Sequence, residues 1–443
     1  MDRFFHSVTL EHDRCVGCTV CVKHCPTEAI RIRDGKAQIT KERCIDCGEC
    51  IRHCPHRAKK ARYDHFSDIQ KFRYKIALPA PTLYGQFPNV RDINLILTAL
   101  LRLGFDEVYE VAKAAELVTE ATRRLMQNGH LTFPIISSAC PAIARLIRVR
   151  FPDLCDHVLP LNAPMETAAS LAKEEASKRL RIPKEEIGCI FITPCAAKVT
   201  DIKVPIGTMT SEVDLAVSIS EIFPLLADEM KKIDKPESLS QSGVIGVSWS
   251  SAGGEASGLQ RERYLAADGI RNCIHVLEEL EDNRLHRVDF IELNACEGGY
   301  VGGVGCVENG FVAKARLQNL RKFLPISRNR LTERIPDCMK WNEELEYAPV
   351  MKLSEDLSEA MQMMMDIHEI SEKFPGKDCG ACGAPSCKAL AEDVVKGHAS
   401  EDDCIFLMQN KLRAQLEEMQ ELTGITVEML EESIDRKEEH HED

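Results

Sequence analysis

The chain has 443 residues, enough for two to four domains at ~100–200 residues each. Its formal net charge of −14 offers no basic surplus for gripping phosphates, which sets nucleic acid aside as a partner. No stretch reaches the ~20 uncharged apolar residues that a membrane span needs. Met1–Leu10 lacks the basic-then-apolar pattern of a secretion signal, so a cytoplasmic protein is expected.

Twenty cysteines decide the class, because clustered cysteines in a reducing compartment are metal or cluster ligands rather than disulfides. The first zone is an internal repeat. Cys15, Cys18 and Cys21 are followed by Cys25-Pro26; Cys44, Cys47 and Cys50 are followed by Cys54-Pro55. A C-x-x-C-x-x-C-x-x-x-C-P run present twice is the signature of ferredoxins with two [4Fe-4S] clusters, in which each fourth cysteine serves the other cluster. One cluster would use Cys15, Cys18, Cys21 and Cys54, the other Cys44, Cys47, Cys50 and Cys25. Each fourth cysteine is expected to open a short helix. Such a domain implies electron transfer with a redox protein such as a ferredoxin.

Beyond the basic stretch Arg57–Arg62, short apolar runs alternate with amphipathic segments. Strands are predicted at Lys75–Leu78, Phe133–Ile136, Ile187–Ile192, Val244–Val247 and Val288–Leu293. Helices are predicted within Arg91–Gly104, Glu116–Gln127, Glu166–Arg179 and Asp214–Lys231. The alternation predicts an α/β domain with mostly parallel sheets flanked by helices. Three cysteines end strand-like runs in loops of small residues: Cys140 after Ser137-Ser138-Ala139, Cys195 after Thr193-Pro194, and Cys296 after Asn294-Ala295. Ligands of open α/β sheets sit beyond the carboxyl ends of strands, so three strands can deliver three thiolates to one crevice. Cys155, Cys189, Cys273 and Cys338 lack this context and read as small buried hydrophobes.

Near the C-terminus, Cys379, Cys382, Cys387 and Cys404 form a third four-cysteine set, with Gly380 and Gly383 letting backbone approach the sulfurs. A zinc site would also suit four cysteines. The segment resembles the [4Fe-4S] domain of corrinoid proteins and of some regulatory hydrogenase-like proteins. The loop is predicted to be carried by a helix at Lys388–Val395. A charged helix follows over Gln409–Glu439, with Leu412, Leu416, Met419 and Leu430 at partly heptad-like spacing; it is expected to pack on its own protein, with a coiled coil as the other reading.

The three central loops, together with Ala80-Pro81-Thr82 and Gly104-Phe105-Asp106, resemble the signature segments of [FeFe]-hydrogenases over about Tyr74–Leu317. The resemblance implies a two-lobed catalytic domain. It also implies an active site of a [4Fe-4S] cubane joined through one bridging cysteine to a di-iron unit that carries CO and CN⁻. By position, Cys140, Cys195 and Cys296 would hold the cubane, Lys198 would donate to one cyanide, and Pro81 and Thr82 would meet the second. Lys198 also reads as a solvated surface lysine. The departures are specific. Ala139 stands where catalytic members have a proton-passing cysteine. Thr193 and Asn294 replace pocket methionines, and Asp201 replaces a glutamate. Tyr300 stands where the bridging cysteine belongs. Cys306, after Gly302-Gly303-Val304-Gly305, is either a fourth ligand or a structural cysteine, leaving three legs in the latter case; the glycines also read simply as a tight backbone path.

The domain reading is 1–66 ferredoxin-like α+β, 67–350 hydrogenase-like α/β, 351–408 a small α cluster domain, and 409–443 an amphipathic helix. The functional reading is a divergent, sensory or regulatory hydrogenase-like protein of an anaerobic type. It would hold three [4Fe-4S] clusters and a fourth at the central site, and would interconvert protons and H2 slowly. Its terminal helix would meet a signalling partner or a second copy. The alternative is a descendant that keeps its clusters without the di-iron unit and acts in electron transfer or redox sensing. A cluster-assembly role, as in the related eukaryotic branch, is disfavoured by the ferredoxin-type start and the C-terminal set.

Overall fold

The computed structural model describes residues 5–128, 130–332 and 334–423. By contact they form two compact units. The first comprises Met1–Cys15, His24–Ala29 and Thr40–Met351; the second comprises Val16–Lys23, Ile30–Ile39 and Lys352–Asp443.

Two parallel sheets organise the first unit. In one, Tyr74–Pro79 and Ile187–Thr193 pair at the centre, with Glu107–Val108 and Leu215–Ser218 at the edges. Ile187–Thr193 is buried at every position, as expected of a central parallel strand covered on both faces. In the other, Phe290–Asn294 lies between Tyr264–Asp268 and Ile135–Ile136. Helices Val111–Gln127 and Pro164–Leu180 supply much of the covering surface. Pro141 and Pro164 each take a first helical position, where proline's missing N–H costs nothing. A two-stranded antiparallel pair, Val8–Leu10 with Lys59–Ala61, closes the N-terminal repeat.

The structure corrects several expectations. Val244–Val247 is helical, within Val244–Ser248. A short apolar run does not declare its period, and Gly246 explains the outcome: a Cβ there would lie 2.0 Å from the Ala112 carbonyl oxygen, so the segment packs backbone to backbone on a helix. Asp214–Lys231 divides into a strand, Leu215–Ser218, and a helix, Ile219–Met230, capped by the Ser218 hydroxyl. The edge strands Glu107–Val108 and Tyr264–Asp268 carry no run long enough to be predicted. The fourth cysteines do not open helices; Cys25 and Cys54 follow the short helices Val20–Lys23 and Glu49–Arg52. Cys189 and Cys273 are buried as expected, but Cys155 and Cys338 are only half-buried because each sits in a short 3-10 turn.

The second unit holds the hairpin Ile30–Arg33 with Lys36–Ile39 and the helices Leu357–Lys373, Cys387–Val395 and Ile405–Thr423. Its small core gathers Ile367, Phe374, Ala384, Leu390 and Cys404. The last helix does not pack as expected: every residue from Met408 to Leu422 is exposed, including Leu412, Leu416 and Met419. Leu430 and the rest of the predicted helix lie outside the described residues.

Candidate cluster and active-site pocket

Four loops leave the carboxyl ends of four strands. Ala80-Pro81-Thr82 follows Tyr74–Pro79, Ala139-Cys140 follows Ile135–Ile136, Cys195 follows Ile187–Thr193, and Cys296 follows Phe290–Asn294. Two adjoining pockets result. Cys140, Cys195, Cys296, Asn294 and Tyr300 line the first, together with Cys47 of the second N-terminal run. Pro81, Thr82, Met165, Phe191, Lys198 and Trp249 line the second. Cys195 and Tyr300 line both, so these two side chains form the shared wall.

All twenty cysteines are free. Burial pushes the Cys195 thiol up to about 12 and Cys296 up to about 11, the latter opposed by the Arg52 guanidinium beside it. Thiols this reluctant to ionise lose their protons only to a cation that replaces them, which is what an iron cluster does. Three convergent thiols, Cys140 buried and Cys195 and Cys296 half-buried, therefore fit a cubane. Cys306 stands near Cys296 and Cys195, and burial pushes it up to about 12 as well. The glycine loop brings it there, because a side chain on Gly303 would run into Pro194 and one on Gly305 into the Tyr63 hydroxyl. Gln86 ties this loop to the first one: its Nε2 donates to the Thr82 carbonyl while its Oε1 accepts from the Val307 and Glu308 amides.

Lys198 is 7% exposed, so it is not a solvated surface lysine. Its Nζ donates to the Ala139 carbonyl at 3.2 Å and stands 5.4 Å from the Tyr300 ring centroid. It forms no salt bridge among the described residues. A buried ammonium outside ion-pair distance of any described carboxylate, facing a pocket, suits an anionic ligand. Thr193 and Asn294 line the two pockets, and Asn294 Oδ1 has no partner among the described residues. Asp201 lines neither pocket; it lies 3.6 Å from Arg145, and Lys198 also acts on its carboxylate.

Several site residues escaped the sequence. Glu255 and Glu292 are buried behind the Ala139 loop. Burial and their mutual repulsion hold Glu255 up at about 8, and burial raises Glu292 too. Ser137 Oγ donates to Glu255 at 2.7 Å and accepts the Ala139 amide. Arg52 donates to the Gly302 carbonyl beside Cys296, and Tyr63 donates to the Pro194 carbonyl beside Cys195. Isolated carboxylates and arginines carry no spacing signal; only the repeat around Cys25 and Cys54 had one. There, Ala29 and Ala58 amides each donate to the fourth cysteine's sulfur at 3.2 Å, and His24 and His53, each one residue before it, stack 3.7 Å apart.

The C-terminal set lies in the second unit, with Cys404 buried and Cys379 exposed. Gly380 and Gly383 take left-handed conformations, φ +80° and +84°, and Asp378 accepts the Cys387 amide. Four thiols gathered by tight glycine turns at the start of a helix fit a cubane.

Fold and site together define an iron–sulfur protein built on a two-sheet parallel α/β core with cysteine loops at its strand ends. A family model for the C-terminal domain of the iron only hydrogenase large subunit matches residues 73–304, and the chain belongs to that family. A 4Fe-4S dicluster domain matches residues 7–55, and an Fe-S cluster family matches residues 374–406. The chain is 28% identical over 213 residues to the periplasmic [Fe] hydrogenase large subunit of Nitratidesulfovibrio vulgaris, covering 44% of this chain and 50% of that protein. It is 23% identical over 317 residues to the cytosolic Fe-S cluster assembly factor NAR1 of Meyerozyma guilliermondii, covering 64% of this chain and 59% of that factor. The chain thus spans about half the length of the curated relatives it matches. Its fold resembles that of [FeFe]-hydrogenase HydA1 from Chlamydomonas reinhardtii, with a TM-score of 0.51 at 14% identity over 64% of this chain and 98% of that one. It is a divergent [FeFe]-hydrogenase-like protein. No described helix is long and apolar enough to cross a membrane.

Proposed function

We propose that this chain is a slow, hydrogen- or redox-sensing member of the family, with [4Fe-4S] clusters on its three complete cysteine sets and a fourth on Cys140, Cys195 and Cys296. The single observation that carries the reading is the buried Lys198 ammonium, facing a pocket beside the cysteine triad and in no salt bridge among the described residues. A di-iron unit bound there would supply the centre at which two protons and two electrons combine as H2. Lys198 would hold its anionic ligand, and the Ala139 carbonyl aims that ammonium. Pro81 and Thr82 line the same pocket, and Phe191, Met165 and Trp249 would exclude water. Ala139 has no proton to pass. Glu255, protonated at neutral pH, keeps one behind that loop through Ser137. A catalytic side chain replaced by methyl supports slow turnover, and slow turnover suits sensing better than bulk metabolism. Cys47 in the wall of the triad pocket supports the second N-terminal cluster as its electron neighbour.

The second reading is a cluster protein without a di-iron unit, in electron transfer, redox sensing or cluster assembly. Tyr300 favours it, since a phenol cannot bridge as a thiolate does, and so does the likeness to the yeast assembly factor. Infrared spectra of protein matured with the di-iron cofactor decide between them. Bands of metal-bound CO and CN⁻ are expected; their absence from protein with a full iron content leaves only the second reading. A small redox protein remains the proposed electron partner, and the exposed terminal helix the proposed contact for a signalling partner or second copy.

A further inference from the structure

The second unit joins two cysteine runs that lie more than 340 residues apart in sequence. The strand Ile30–Arg33 continues the first run, and the loop Cys379–Cys387 lies directly on it. The Ile32 amide donates to the Gly383 carbonyl at 2.9 Å. Lys23 Nζ, two residues beyond Cys21, donates to the Pro385 carbonyl at 3.0 Å. Arg33 reaches the Cys382 carbonyl at 3.5 Å. The fit has no slack: a Cβ on Gly383 would lie 2.4 Å from the Ile32 carbonyl oxygen, and one on Gly380 would lie 2.9 Å from the Lys23 side chain.

A charge cluster closes this contact. Asp393, on the helix that Cys387 begins, is 8% exposed. Arg31 Nε donates to its Oδ2 at 2.7 Å and Arg33 Nη2 donates to the same oxygen at 2.6 Å. One carboxylate thus gathers two guanidiniums that project from a single strand. An ordinary solvated ion pair would not be so enclosed, nor would it converge on one oxygen.

We propose that Asp393, with Arg31 and Arg33, is a positioning clamp that seats the C-terminal cysteine loop on the first cysteine run, so that clusters on the two are electron-transfer neighbours. The C-terminal set is then the outer port of the chain's electron path, and Cys379 is its exposed edge. An electron from a reduced one-electron carrier enters there. One electron lost by the outer cluster is gained by the inner one; no bond forms and no proton moves. This rests on the cluster content proposed above but on neither the di-iron unit nor turnover.

Electron paramagnetic resonance of the full chain, cluster-loaded and reduced with dithionite, tests the clamp. Neighbouring reduced clusters broaden each other's signals. Removing the outer cluster with Cys387→Ala is expected to abolish part of that broadening. Asp393→Ala is expected to abolish the same part with iron content unchanged, while Asp393→Glu retains it. If Asp393→Ala loses iron, Arg33→Gln reads the same contact from the hairpin side. Broadening that is indifferent to Cys387→Ala, or that persists in iron-replete Asp393→Ala and Arg33→Gln, overturns the proposal. Infrared bands play no part in these spectra, so failure here leaves the hydrogenase reading to its own test.

Discussion

Tyr300 is the residue on which the chemistry turns, because it and Cys195 form the wall between the two pockets. Burial raises its phenol far above the ordinary tyrosine value, so it is neutral and a poor ligand at any working pH. Tyr300→Cys places a thiol at that wall. The variant is expected to bind more di-iron cofactor than the wild type, read as stronger CO and CN⁻ bands at equal protein concentration. Lys198→Met should keep the cubane iron and remove those bands together with the iron of the di-iron unit, since it deletes only the donor to an anion. Glu166 makes a separate statement about pH. Burial pushes it up to about 7, despite the Ser211 hydroxyl and the Glu212 amide that donate to it. Above its ordinary 4.5 the unfolded chain has released this proton while the folded chain still holds it. Its contribution to stability is therefore full in acid and is lost as pH rises from about 4.5 through about 7. Glu166→Gln cannot ionise, so thermal midpoints should fall less steeply over that window. The variant should exceed the wild type by about 1–3 kcal/mol at pH 8.

At the scale of elements, two close packings set the site. The helix Val244–Ser248 reaches Val111–Gln127 only because Gly246 lacks a side chain. Gly246→Ala drives a methyl into a backbone carbonyl and is expected to cost about 1–3 kcal/mol, measured by urea denaturation. Neighbouring Trp249 lines the pocket and donates to Thr119 on that same long helix, so the variant should also weaken retention of anything bound there. The terminal helix presents the other case. Its Met408, Leu412 and Leu416 are exposed among the described residues. If they form a contact with a second copy, Leu412→Lys with Leu416→Lys should shift the sedimentation of the protein to the monomer while iron per chain stays constant.

For the whole molecule, iron content follows from cysteine geometry. Three complete sets imply roughly 12 iron atoms per chain, and a cubane on Cys140, Cys195 and Cys296 adds about four. Cys296→Ala should lose about four, whereas Cys189→Ala, a buried thiol that donates to the Ala169 carbonyl, should lose none. The grouping of the cysteines was legible before any coordinates, because C-x-x-C runs and strand-end cysteines carry a spacing that cluster chemistry demands. The parallel α/β class was legible for a similar reason: buried central strands such as Ile187–Thr193 are continuous apolar runs. Edge strands of two to five residues and the helical Val244–Ser248 were not, since so short a run fits either period. Nor could spacing reveal that Glu255 and Glu292 are buried as neighbours behind Ala139, or that Lys198 is buried facing a pocket. By itself, then, the amino-acid order determined which atoms can hold iron, because ligands of one cluster lie close along the chain or at predictable strand ends. Only the tertiary structure decided what surrounds that iron, because a buried charge acquires its meaning from residues that are far away in sequence and near in space.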